Sequence, residues 1–162
     1  MTKLIGPRET VLVTAKAELN HFGKKIEKED VLAIDWHMPC SIEPFSYAIS
    51  VQKKHFSHQL IQLSKVFIVN IISKELEQKA LFCGTQSGEH VDKFKEAKLT
   101  KIDSVHLDCV KIAEALGWIE CEVVHEIDMH DHTVFIAKVR YYEMLKEGKR
   151  LYHVKDNEFT TT

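Results

Sequence analysis

In several short runs of this chain, apolar and polar positions alternate every second residue, the period of a strand that is buried on one face. From Phe45 to Val51, the residues Phe45, Tyr47, Ile49 and Val51 fall on one side, and Ser46, Ala48 and Ser50 on the other. Thr10 to Ala15 (TVLVTA) and Val31 to Trp36 (VLAIDW) are rich in branched and apolar side chains, as strands are. Val66 to Ile72 (VFIVNII) is apolar on both faces, which predicts a central, covered strand. The alternation returns late in the chain. Ile119, Cys121 and Val123 oppose Glu120 and Glu122; Phe135, Ala137, Val139 and Tyr141 oppose Lys138 and Arg140. These two runs read as long, half-buried antiparallel strands joined by the polar stretch His125 to His132.

Helical signals are short. Leu60, Ile61 and Ser64 suit a helix with Ser57 as its N-cap, and Ser73 precedes Glu75 and Glu77, acids that favour a first helical turn. That second helix runs into the turn Gly84-Thr85-Gln86-Ser87-Gly88, and a further short helix passes through Val91, Phe94 and Ala97. The expected fold is therefore mainly β with short helices, a barrel or sandwich in one domain over residues 1–162. A parallel βαβ fold would need more regular alternation and longer helices.

Charge changes the picture by exclusion. With 22 Lys+Arg against 24 Asp+Glu, bulk composition supports neither a nucleic-acid nor a membrane-surface role. Cys40, Cys83, Cys109 and Cys121 form no C-x-x-C pair and read as reduced, mostly buried thiols. The start, MTKLIGPRE, is too polar for a signal peptide, and no apolar run approaches bilayer length, so a soluble cytoplasmic location is expected.

Four stretches carry candidate chemistry. The Gly84–Gly88 turn offers unhindered backbone N–H groups and the Ser87 hydroxyl, with Lys93 nearby, which suits an anionic or heteroatom-rich ligand. It matches neither the phosphate-binding P-loop nor the G-x-G-x-x-G dinucleotide fingerprint, and a plain connection between helices competes. Lys53-Lys54-His55-Phe56-Ser57 follows a strand and opens a helix, so cations, a hydroxyl and free N–H groups could converge on one phosphate; a capped helix after solvated lysines is the alternative. Ala33-Ile34-Asp35-Trp36-His37-Met38-Pro39-Cys40-Ser41 sets polar groups at the end of an apolar strand, where sites are often built, although an ordinary turn would look the same. His130 and His132 would share a face of a strand, as in several metal sites, with a solvated polar hairpin as the simpler reading. No nucleophile motif is present, so difficult chemistry would fall to a bound cofactor.

In their order and spacing, VLAIDWHMPCSIEPFSYAISV, KKHFSHQLI, FIVNII, FCGTQSGEHVDKF and IECEVVHEIDMHDHTVFIAKV resemble the flavin reductase-like family of FMN-binding split β-barrels, which includes flavoredoxin-type proteins and an archaeal type of ferric reductase. The likeness runs from about Val11 to Tyr152. It implies a Greek-key split barrel and a homodimer with one FMN per subunit near the interface. It further implies that Ala33, Ile34, Asp35 and Trp36 lie along the flavin ring, with Cys40, Ser41 and Ser50 near the ring or its ribityl tail. Lys54, His55 and Ser57 would hold the phosphate, and Gly84, Ser87, Lys93 and Phe94 would close the site. His132, paired with Asp131, would stand where a reductant or acceptor approaches. Many relatives have Arg and Thr where this chain has Lys54-His55 and Ser57, and Pro-Pro where it has Glu43-Pro44-Phe45, so the individual phosphate donors stay open.

The function implied is an FMN-binding oxidoreductase moving electrons from NAD(P)H or a protein donor to a flavin, ferric or other acceptor. The alternative is a non-enzymatic FMN-binding electron carrier, with a metal-binding barrel third.

Overall fold

The computed structural model describes residues 5–162, so the first four residues of the polar N-terminal segment lie outside it. The chain opens with β1 (Arg8–Glu9), β2 (Val11–His21), β3 (Lys24–Ile34), β4 (His37–Ile42) and β5 (Phe45–Gln52). Helix α1 (Phe56–Ser64) leads to β6 (Val66–Ile71), and α2 (Glu77–Thr85) and α3 (Lys93–Glu96) follow. The rest is β7 (Lys101–Asp103), β8 (Val110–Ile112), β9 (Gly117–Met129), β10 (His132–Met144), β11 (Leu151–Lys155) and β12 (Glu158–Thr161). The expected class, mainly β with short helices, is the one observed.

Seven strands form one antiparallel sheet in the order β3-β2-β6-β9-β10-β5-β4. The sheet curls without closing. At the bend between β3 and β4 the Ser50 N–H donates to the Trp36 carbonyl at 2.9 Å, one pair beyond the β4–β5 ladder, and among the described residues no strand pairing joins β3 to β5 across the seam between them. Inside the curl sits an apolar core that includes Val13, Ile49, Val51, Phe67, Val69 and Phe135, plugged by Leu60 and Ile61 of α1. A second apolar layer packs on the outer face of β2, β3, β6 and β9. There Leu12, Val31, Ile68 and Trp118 meet Cys83 of α2, Phe94 of α3 and Ile112 of β8.

Four expectations need correction. Ser57 is not the N-cap: His55 holds that position without a side-chain bond, because the Ser57 hydroxyl is committed elsewhere. Strands β2 and β3 are much longer than their apolar runs. They join at Phe22-Gly23, both with positive φ, the two-residue turn that suits the twist of a hairpin. His125 to His132 is not a polar connection; β9 and β10 run on to a two-residue turn at His130-Asp131, so His130 (φ 71°) and His132 share no strand face. Finally, a register shift between Val139 and Tyr141 reverses the facing of β10. Tyr142, largely exposed, then takes the Phe45 side of the strand and meets that ring edge-on, while the half-buried Tyr141 stacks on His106 on the other side.

Candidate functional site

Strand β3 ends the sheet, so one of its edges has no partner strand. On that edge the Val31 N–H bonds the Asp30 carboxylate at 2.8 Å and the Val31 carbonyl accepts from Lys93 Nζ at 2.8 Å. Backbone groups two residues apart on a strand face the same way, so Ala33 and Asp35 turn theirs toward the same seam. Among the described residues those of Ala33 meet no partner there.

The seam widens into a cleft of about 180 Å³. One wall is Leu32 to Trp36 of β3 and the residues just after it; the other is Ser50 to Gln52 of β5, with His55 and His132 at the end. The Trp36 indole and the His132 imidazole stack at 5.0 Å between centroids and 26° between planes. His132 Nδ1 lies 2.9 Å from the Asp131 carboxylate, which only accepts, so Nδ1 carries the proton. This bond holds the Asp131 carboxyl below its ordinary value. His55 is pushed down by burial first and then by the charges of Lys93 and Lys54, which favours the neutral ring.

Of the residues expected at a site, Ala33, Ile34, Asp35, Trp36, Ser50, His55 and His132 line this cleft. Lys54 is exposed beside His55 and, among the described residues, joins no ion pair. Cys40 is exposed and Ser41 half-buried on β4, away from the lining, and burial raises the Cys40 thiol. Gly84 belongs to α2, where an added Cβ would sit 3.3 Å from that of Ala33, so the helix lies close against the cleft strand. Ser87 is exposed in the loop after it.

Ser57 and Lys93 are placed differently. The Ser57 hydroxyl donates to Asp30 at 2.5 Å, and Lys93 Nζ stands 3.1 Å from the other oxygen of that carboxylate. All three side chains are buried, as is Phe94. Gly88 covers them: a Cβ there would fall 2.2 Å from Asp30 Oδ1. This cluster is sealed behind the cleft and does not line it.

Sequence reasoning did not single out Leu32, Val51 and Gln52, which also line the cleft, nor Asp30, Thr10 and His153, which support its strand. Gln52 could have been found as the polar end of an alternating run. His153 gave no signal, because its partner Asp35 is 118 residues away.

A family model described as a flavin reductase like domain matches residues 6–161. The chain belongs to the flavin reductase-like family. A protein of Pyrococcus abyssi, itself described as uncharacterised, is 32% identical over 145 residues, 83% of each chain. Among solved structures, flavoredoxin of Desulfovibrio vulgaris (Miyazaki F) superposes with a TM-score of 0.82 at 22% identity, over 98% of this chain and 88% of that one. The NADH:FAD oxidoreductase of Streptomyces globisporus gives 0.81 at 18%, over 96% and 86%. At such identities the likeness establishes the fold, a split barrel, which is the one expected.

Proposed function

We propose that this family member binds FMN in the β3–β5 cleft and works as an oxidoreductase, taking electrons from NAD(P)H or a protein donor and passing them to a flavin, ferric or other acceptor. The observation that carries the reading is the open edge of β3. A flavin ring presents donors and acceptors along one rim and an aromatic face. The unpartnered backbone groups of Ala33, beside the Trp36 ring, match that set. Lys54 and the partly buried His55 stand at the end of the cleft next to the free N–H groups that open α1, which suits a phosphate. The Ser57 hydroxyl and Lys93 support that end from behind, through Asp30.

When bound, FMN supplies the hydride or electron transfer. The chain's own residues bind and orient. The stacked Trp36 and His132 rings narrow the mouth, and β5 excludes water from the far wall. With Nδ1 bonded to Asp131, His132 keeps Nε2 free to orient a reductant's polar group at the mouth.

A homodimer fits the outer face of the sheet. Cross-strand register puts Met38, Ala48 and Ile136 in one row and Val134 with Ile127 in the next, with Met129 beyond, opposite His132. Met38, Ile127 and Met129 are exposed there, an apolar surface next to the cleft that a two-fold copy would cover. Light scattering of the FMN-loaded protein at micromolar concentration should give twice the chain mass, and a monomer mass would rule the dimer out.

Fluorescence titration with FMN, followed by anaerobic reduction with NADH and NADPH, tests the main reading. We expect saturable binding and flavin bleaching by a nucleotide. Protein that fails to bind FMN would falsify the cofactor. The likeness in fold to a flavoredoxin favours the electron carrier as second reading, and bound FMN that neither nucleotide reduces would select it. His132→Ala should keep FMN bound and slow its reduction about tenfold, roughly 1.4 kcal/mol in the transition state. Unchanged reduction would remove His132 from the mechanism.

A further inference from the structure

His153, on β11, belongs to the small C-terminal sheet and comes from a segment that none of the candidate chemistry above includes. Its two ring nitrogens both face oxygens. Nδ1 is 2.6 Å from Asp35 Oδ2, and Nε2 is 2.7 Å from the Asp156 carbonyl. The Thr10 hydroxyl donates to the other oxygen of Asp35 at 2.6 Å. Both ring nitrogens thus face oxygen acceptors, an arrangement that only a ring with a proton on each nitrogen satisfies in full. In that form the ring and the Asp35 carboxylate together carry no net charge.

Asp35 stands at a wall between two cavities. On one side is the cleft; on the other is a hollow of about 120 Å³ bordered by Arg8, His153 and Trp36. Among the described residues, the charged groups facing His153 are Asp35 from the end of β3 and Arg8, its register partner on β1; β12 presents the apolar ring of Phe159 at 5.1 Å. Among these only Asp35 also borders the cleft.

We propose that His153 is a positioning residue of the flavin cleft: it ties the C-terminal hairpin to the Asp35–Trp36 wall and cancels the Asp35 charge beside the bound ring. The proposal rests on the FMN reading above. Reduction puts negative charge on one edge of a flavin ring, and an uncompensated carboxylate in the wall would oppose it. His153 thus sets how much more tightly the cleft holds reduced than oxidised FMN. Its contribution is electrostatic, exerted through a residue it touches.

The test measures the midpoint potential of bound FMN, together with the affinity for oxidised FMN, in four proteins. His153→Gln keeps an amide donor for Asp35 and removes the charge. It should lower the affinity for reduced relative to oxidised FMN about tenfold, which for a two-electron couple is roughly 30 mV. Asp35→Asn with His153→Gln should return the ratio to within about twofold of the parent, and His153→Arg should hold it there. A His153→Gln protein that binds FMN at the parent's potential overturns the proposal, as does a double variant that stays as low as the single one, since the loss would then come from packing. If His153→Gln does not fold, Asp35→Asn carries the test alone: with no carboxylate to expose, its ratio must not fall, and a tenfold fall overturns the idea. Failure of the unaltered protein to bind FMN overturns the flavin reading itself, a separate result from bound FMN indifferent to His153.

Discussion

Asp30 and Asp35 lie five residues apart at the same end of the chain's third strand, and each is held in the same chemical way. One accepts from the Ser57 hydroxyl and meets the Lys93 ammonium; the other accepts from the Thr10 hydroxyl and meets the His153 ring. The surroundings differ. Asp30 is 2% exposed under Gly88 and two helices, whereas the Asp35 side chain is 25% exposed between two cavities. A carboxylate with a hydroxyl and a basic side chain is thus a structural anchor where no space adjoins it and a candidate for tuning chemistry where a cleft does. Residue type and partner do not decide which; the adjoining volume does.

The comparison breaks most sharply at the closed end. Lys93→Met leaves the buried Asp30 charge without its cation, and we expect a loss of about 3–5 kcal/mol of stability, read from the urea midpoint. A loss below 1 kcal/mol would mean that water reaches Asp30, and the contrast with Asp35 would collapse. A crossed pair sharpens it. Ser57→Ala should cost about 1–3 kcal/mol of stability and leave the preference for FMN over riboflavin unchanged. Lys54→Ala should do the reverse, weakening FMN by about 1.5–3 kcal/mol while riboflavin binding and stability hold. If Ser57→Ala shifts FMN and not riboflavin, its hydroxyl turns to the phosphate, and the closed cluster is part of the site.

The smallest effect concerns protons. His58, one turn into the first helix, is pushed below 6.5 by burial first, and its Nε2 lies 2.8 Å from the Thr133 hydroxyl. Since the folded ring resists a proton that the unfolded ring accepts, stability should be full above pH 6.5 and decline as pH falls through the region just below it. His58→Gln should flatten that limb, and a limb of unchanged slope would remove His58 as its cause.

Much of the barrel was legible. Tyr47, Ile49 and Val51, and Phe135 and Ala137, point inward as their alternation requires. The cleft was legible in part, because Ala33 to Trp36 and His132 come from segments whose polar residues interrupt apolar strands. What stayed hidden depends on distant pairing. A serine before an apolar helical run reads as a cap, yet Asp30, 27 residues earlier, takes its hydroxyl. The shift after Val139 leaves no mark in a period-two pattern, so Tyr141 and Tyr142 exchange faces unannounced. Glu120 looked like a solvent-facing strand residue; β7 and β8 cover it, with Lys111 3.3 Å away and the Ser104 hydroxyl at 2.5 Å. The first hairpin was underestimated because residues 16–30 are mostly charged, and only its turn geometry gives it away.

That hairpin has a kinetic consequence. β6 pairs with Val11 to Thr14 alone, so from Ala15 to His21 the second strand has backbone bonds only to the third, and its tip places Phe22 in solvent. Amides of the distal rungs can exchange with solvent hydrogen by fraying inward from the Phe22-Gly23 end, leaving the barrel intact, while those at Val11 to Thr14 must wait for the whole sheet to open. The strand that supports the cleft is clamped where chemistry is expected and loosens progressively away from it.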